Sequence, residues 1–372
     1  MKYVDEFRNG KFTKRLIEEI KSVSKKKIKL MEVCGTHTVA IFKYGLRGVM
    51  PENITLLSGP GCPVCVTANE TIDKAIWLVR QKGVILTTFG DMVKVPGSSS
   101  SLSQEKSQGY DVRIVYSTMD ALKVACDNPA KKVIFFAIGF ETTSPTIAAS
   151  VLEAKRLKLK NYYILAAHKL IPPAMKTLLD TKELDLNGFI CPGHVSAIIG
   201  AKPYEFIIKD YGIPCVITGF EPLDILQAIL MLVRQIEENK PRVEIQYKRA
   251  VKYEGNSQAL RMLYEVFEEA DSNWRGIGVI PNSGLRLRLK YRDFDAENIF
   301  EIKQEKTKYI PGCLCGEVLR GVRIPTDCKY FGKLCTPENP VGACMVSIEG
   351  ACLAYYKYQG EVSGTKNFNT KG

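Results

Sequence analysis

The chain has 372 residues, 45% of them apolar and 25% charged, the composition of a folded globular protein large enough for two or three domains. Lysine and arginine outnumber aspartate and glutamate by 52 to 40, giving a formal charge of +12. No apolar run approaches the roughly 18 residues that a spanning helix needs, and residues 1–27 are too charged for a signal peptide, so no membrane association and a cytoplasmic location are expected.

The basic residues are scattered along helical stretches such as Lys11–Lys27 and Lys155–Lys160, mixed with Glu and Leu. No aromatic-studded basic tract accompanies them. The expectation is a solvated surface and no nucleic-acid partner. Twelve cysteines in such a chain point to metal or redox chemistry rather than to a disulfide framework, and six of them fall between Cys313 and Cys352.

In chain order, Phe12–Val23 carries Leu16, Ile17, Ile20 and Val23 at helical spacing. Eight strand-like apolar runs follow, each ending in a small or polar residue and leading into a helix-like stretch. They are Ile28–Val33, Ile54–Leu57, Val84–Thr87, Arg113–Tyr116, Val133–Ile138, Tyr162–Ala166, Gly188–Ile190 and Cys215–Thr218. Continuous apolar runs alternating with helices predict parallel strands buried on both faces. The break at Cys126-Asp127-Asn128-Pro129 predicts two similar α/β lobes, residues 28–127 and 128–239, facing each other across a ligand cleft. The Ser-rich stretch Pro96–Ser101 reads as a mobile loop over a strand edge. Two helices come next: Leu223–Glu237, with Leu226, Ile229, Leu230 and Val233 on one stripe, and one capped by Asn256 that buries Leu260, Leu263, Tyr264 and Phe267. Residues 1–27 and 240–372 are expected to form a third, irregular, cysteine-rich domain.

The chemistry-bearing residues lie where strands end, the edge at which open α/β sheets bind ligands. In Cys34-Gly35-Thr36-His37 a thiol and an imidazole could share a metal or form a nucleophile–base pair; Cys34 could equally be a buried inert thiol. Ser58-Gly59-Pro60-Gly61-Cys62-Pro63-Val64-Cys65 places Cys-x-x-Cys between a strand and a helix start. A redox pair with a dipole-lowered thiol pKa is favoured there over half a zinc site. Asp91, Glu141 and His194 fall at other strand ends, where they could hold a cation or move protons, whereas each alone could be a cap or turn former. His168 reads as a satisfied buried histidine. The last six cysteines, Cys313, Cys315, Cys328, Cys335, Cys344 and Cys352, are separated by gaps of 1, 12, 6, 8 and 7 residues, neither compact ferredoxin nor zinc-ribbon spacing. Four cluster ligands plus a neighbouring thiol pair account for six thiols, with structural zinc as the other reading.

Together these motifs resemble the hydrogenase maturation factor HypD family over nearly the whole chain. The ordered set is Cys34-Gly35-Thr36-His37, Gly59–Cys65, Phe89-Gly90-Asp91-Met92, Gly139–Thr143, Pro192–Ser196, Cys335-Thr336-Pro337 and Cys344–Cys352. The resemblance implies a scaffold on which the Fe(CN)2CO group of NiFe-hydrogenases is built, with a HypC-type chaperone and with cyanide delivered by a HypE-type partner as thiocyanate. It implies that Cys34 ligates the iron together with a chaperone cysteine, and that Cys62 and Cys65 are a redox pair beside it. It further implies a 4Fe-4S cluster on Cys313, Cys328, Cys335 and Cys352, which leaves Cys315 and Cys344 as a disulfide candidate, an arrangement similar to ferredoxin–thioredoxin reductase. His194, Asp91 and Glu141 could then hydrogen-bond cyanide nitrogens or protonate intermediates. Cys126, Cys191 and Cys215 receive no role. A stand-alone thiol–disulfide reductase fed by the cluster is the competing reading, and a basic nucleic-acid-binding iron–sulfur protein a distant third.

Overall fold

The computed structural model describes residues 10–303 and 305–362, with side chains to residue 358. All eight expected strands are present: β1 Ile28–Glu32, β2 Ile54–Ser58, β3 Val84–Thr88, β4 Val112–Ile114, β5 Lys132–Gly139, β6 Tyr162–His168, β7 Gly188–Pro192 and β8 Cys215–Thr218. A ninth, β9 Val243–Ile245, and an antiparallel pair, β10 Phe267–Trp274 and β11 Gly278–Leu287, complete the set.

The parallel strands form two sheets, ordered β2-β1-β7-β8-β9 and β4-β3-β5-β6. Counted in their own chain order, both sheets begin 2-1-3-4, so two lobes of similar build exist. They do not divide at residues 126–129, however. The strands of one sheet, β3 to β6, are inserted between β2 and β7 of the other. Apolar runs specify burial on both faces but not which neighbour a strand joins, and the Cys126–Pro129 break only ends the Thr118–Asp127 helix, leading from β4 into β5 of one sheet.

Helices cover both sheets. The Gly10–Val23 helix buries Ile20 with Ile28 and Leu30 of β1 and with Leu226, Ile229 and Val233 of the Pro222–Glu237 helix. It therefore belongs to the five-stranded unit rather than to the cysteine-rich region, as does β9; residues 1–9 and 363–372 of the expected third domain lie outside the described residues. The Pro222–Glu237 helix follows the sequence closely, with Pro222 in its first turn. The helix capped by Asn256 stops at Val266. Phe267 is buried but opens β10, and Tyr264 keeps 39% exposure. The β10–β11 pair spans the two units: Arg275 N donates to Val66 O (2.8 Å), and Leu170 N donates to Ser283 O (2.8 Å).

The Ser-rich stretch is tied down. Asp73 accepts from Ser98 N (2.7 Å) and Ser98 Oγ (2.6 Å), and Ser101 caps the Leu102–Ser107 helix. From residue 305 to 350 the chain runs as loops and short helices, and this segment carries five of the six C-terminal cysteines. No described helix is long and apolar enough to cross a membrane.

Because Leu226 is fully buried between helix and sheet, Leu226→Ala should lower the unfolding free energy by about 2–5 kcal/mol. Denaturant titration should show the midpoint falling at an unchanged slope.

Candidate functional site

Each sheet reverses its strand order beside its first strand, and the chemistry-bearing loops leave the strands there. Cys34 follows β1 in extended backbone and starts the Gly35–Lys43 helix. Cys62 follows β2 and starts the Pro63–Val66 helix, its sulfur accepting from Cys65 N (3.2 Å). Gly61 joins the two loops: Gly35 N donates to Gly61 O (2.8 Å), and a Cβ on Gly61 would stand 2.2 Å from Cys34 N. The backbone of the second loop thus lies directly against the first, which requires glycine. Cys62 and Cys65 are at disulfide distance, with Cα atoms 5.2 Å apart. Both are buried, and Cys34 keeps only 7% exposure.

Burial sets the acid–base character here. The Cys34 thiol is pushed up to about 12 by desolvation and by the Glu349 carboxylate; the amides of His37 and Thr36 pull the other way without forming a cap hydrogen bond. His37 is not a base for Cys34. Its Nε2 donates to Gly219 O (2.9 Å), its ring stacks on Phe220 at 4.7 Å, and burial lowers it to about 4. His194 stacks on Phe220 as well, at 4.0 Å, and remains exposed. A His37–Phe220–His194 stack therefore brings the first and fifth motifs together.

The C-terminal cysteines reach this site through residues 342–352. Ala343 O faces Cys65 Sγ at 4.0 Å, and its chain neighbour Cys344 has its sulfur 2.9 Å from Cys315 Sγ. Cys313, Cys315, Cys328, Cys335, Cys344 and Cys352 all line one small chamber. Further along, Glu349 accepts from Thr36 Oγ1 (2.8 Å) and lies so close that a Cβ on Gly35 would meet Glu349 Cβ at 2.4 Å. On the other unit, Asp91 accepts from Ser347 Oγ (3.1 Å) and Ile348 N (3.2 Å). Asp91 is thus a hook for the C-terminal arm.

Glu141 is placed differently. It is buried behind β5, where Oε1 accepts from Ile171 N (2.9 Å) and Oε2 has no partner among the described residues. Desolvation raises it to about 7. His168 is buried as expected but not satisfied: neither ring nitrogen has a partner among the described residues, and burial depresses it to about 3. Cys191 and Cys215 are buried on adjacent strands, and Cys126 is exposed. Asp91, Glu141 and His194 thus serve three separate places rather than one cation site.

Two residues escaped the sequence reading. Phe220 had a signal, since Gly219-Phe220-Glu221 after β8 repeats Gly139-Phe140-Glu141 at the end of β5. Glu32, at the end of β1, accepts from Cys34 N (3.2 Å) and Thr38 Oγ1 (2.5 Å), and burial raises it to about 8. A lone glutamate closing an apolar strand carried no such signal.

The raised Glu141 carboxyl has a measurable sign. The folded chain holds its proton to about pH 7, while an unfolded chain releases it near 4.5, so stability falls as pH rises between those values. Glu141→Gln keeps an acceptor for Ile171 N and removes that loss. Its advantage over the parent should grow from pH 4.5 to 7 by up to about 3 kcal/mol in unfolding free energy. A pH-independent difference would contradict the assignment.

Comparison with known proteins follows the same lines. Residues 11–359 match the HypD family model, described as a hydrogenase formation family. The hydrogenase maturation factor HypD2 of Bradyrhizobium diazoefficiens is 47% identical over 368 residues, covering 96% of this chain and 97% of that protein. HypD of Azotobacter vinelandii is 48% identical over 367 residues, with 96% and 97% covered. HypD of Cupriavidus necator is 45% identical over 368 residues, again with 96% and 97% covered. With its motifs in order and its match running from the first described helix to the last, the chain belongs to the HypD family of hydrogenase maturation factors.

Proposed function

We propose that this chain is the scaffold on which the Fe(CN)2CO group of NiFe-hydrogenases is assembled. Cys34 holds the iron together with a cysteine of a HypC-type chaperone, and a HypE-type partner supplies cyanide as a thiocyanate. The observation that carries this reading is the continuity of sulfur, from Cys34 against Gly61, through Cys62 and Cys65, across Ala343 to Cys344 and Cys315. Releasing cyanide from an S–CN group takes two electrons, and a dithiol closing to a disulfide provides two. Cys62 and Cys65 have the spacing for that exchange and follow the loop that Gly61 packs against Cys34.

A 4Fe-4S cluster fits the donor set offered by Cys313, Cys328, Cys335 and Cys352. These soft thiols line one chamber together with Cys315, Cys344, Gly342 and the apolar Leu314, Val318, Phe331 and Met345, although among the described residues no three of them stand close enough to hold a single metal ion. When bound, the cluster would supply single electrons. Cys315 and Cys344, with sulfurs 2.9 Å apart beside the carbonyl that faces Cys65, would hold two electrons as a dithiol. His194, exposed and braced by Phe220, is the group available to donate to a cyanide nitrogen. Asp91 and Glu141, both engaged with neighbouring donors, position the arm and the Ile171–Thr181 helix.

The test is anaerobic copurification with the chaperone and infrared spectroscopy. Cys34→Ala should lose the bands of metal-bound CO and CN⁻ while keeping cluster iron and sulfide. Cys328→Ala should lose iron and sulfide. Unchanged bands in Cys34→Ala would overturn the scaffold assignment, and parent protein with a cluster but no such bands under any assembly condition would favour a stand-alone reductase. His194→Ala should slow assembly of the iron group several-fold without altering the cluster; unaltered assembly would remove His194 from the chemistry.

A further inference from the structure

On one side of the thiol chamber lies a cavity of about 370 Å³, bounded by Asn69, Arg275, Tyr309, Cys313, Cys315 and Gly342 among others. Its size is that of a small-molecule site. Arg275 is 8% exposed. Its Nε donates to Thr67 O (3.0 Å), whereas Nη2 has no partner and no carboxylate pairs with it among the described residues. Asn69, 5% exposed, donates through Nδ2 to Lys308 O (2.7 Å) and leaves Oδ1 without a partner among the described residues. The other charges at the rim are occupied: Arg320 is bound to Glu183 and to Gly276 O, and Glu317 pairs with Arg323.

A buried guanidinium without a counter-ion is costly to keep unless something anionic meets it. Its planar fork suits a carboxylate, and the free Asn69 oxygen beside the same cavity suits an N–H donor. The cavity wall also contains two thiols. A Cβ on Gly342 would stand 3.2 Å from Cys313 Sγ and 3.6 Å from Cys315 Sγ, so glycine here leaves both sulfurs uncovered by a side chain at that position.

We propose that this cavity admits a low-molecular-weight disulfide bearing a carboxylate and an N–H group, held by Arg275 and Asn69, which exchanges with Cys315. The proposal rests on Cys315 and Cys344 being an exchangeable pair, as read above. In the exchange, Cys315 sulfur attacks one sulfur of the incoming disulfide, the S–S bond breaks, and one thiol leaves carrying the Cys315 proton. Cys344 sulfur, 2.9 Å away, then attacks Cys315 and releases the second thiol with its proton. The two cysteines lose two electrons, and the disulfide gains them as two thiols. In reverse, two such thiols reduce the pair, so the site gives the sulfur store a route to small-molecule reductant that does not pass through a protein partner.

Full-length protein, purified anaerobically and reduced, is exposed to glutathione disulfide or to neutral hydroxyethyl disulfide. Each rate is normalised to the same probe reacting with a free model thiol. The readout is the Cys315–Cys344 bond, followed by peptide mass mapping. The parent should form this bond about tenfold faster with the anionic probe, the scale of one charge-assisted hydrogen bond. Arg275→Gln should erase that preference: any slowing from losing the positive charge beside the two thiols falls on both probes, and the anionic probe slows by about tenfold more. No preference in the parent, or equal slowing with both probes in Arg275→Gln, overturns the proposal while leaving the pair exchangeable. If neither probe forms the bond, the reading of Cys315 and Cys344 falls with it.

Discussion

The site depends on backbone lying against backbone where a side chain would intervene. Gly61 presses on Cys34, Gly35 on Glu349, and Gly350 on Cys344, whose carbonyl oxygen would stand 2.1 Å from a Cβ at that position. The first contact joins the two N-terminal cysteine loops, the second fastens the C-terminal arm to the loop after Cys34, and the third folds the arm back on itself beside Cys344. Side chains then fix the arm's direction. Glu349 reaches the helix that follows Cys34, and Asp91 reaches Ser347 and Ile348 from the other sheet. An arm with few helical turns of its own is thereby held across both units, and its cysteines are delivered to within one residue of Cys65.

The nesting of one sheet inside the other explains why such a strap is needed. Both sheets reverse strand order beside their first strand, and each opens a crevice at its carboxyl edge, where Cys34 and His194 serve one and Asp91 and Phe140 the other. Because β3 to β6 are inserted between β2 and β7, the chain passes between the units twice, after β2 and after β6. The β10–β11 pair adds a third tie, with Trp274 fully buried near Phe140 and donating to Ser283 Oγ (2.8 Å). The two edges can therefore share one set of sulfurs.

Strands and motifs were legible in the sequence because their signals are local. A buried parallel strand is a continuous apolar run, and a glycine-flanked cysteine at its end needs no knowledge of the rest of the fold. Pairing was not legible, since any of eight apolar runs can lie beside any other, and the sequential split failed for that reason. The β10 strand was hidden because Phe267 fits the helical stripe begun at Leu260, and tertiary contact with β11 overrides that local pattern. Asp91 was legible as a chemical group but not as a hook, because its partners lie 256 and 257 residues away. Pro96–Ser101 has the composition of a free loop. Its anchor, Asp73, sits on a helix whose own pattern shows only an exposed-looking carboxylate.

Thiol chemistry is where local reasoning and the fold disagree most, and magnitudes decide the matter. A cysteine starting a helix should have its pKa lowered by the helix dipole, a contribution of about 0.3–1 kcal/mol near an exposed terminus. Cys34 instead lies nearly sealed, and its rise from 9.0 to about 12 corresponds to about 4 kcal/mol against the thiolate. Desolvation wins by several-fold, and Glu349, the residue that fastens the arm, adds to it. The contact that brings the sulfur sets together is therefore also one that disfavours the free Cys34 thiolate. The short Pro63–Val66 helix has little dipole to offer, so the Cys62–Cys65 pair owes its geometry to the turn rather than to electrostatics. In this fold, proximity to a helix terminus says where a thiol is, and burial says what state it is in.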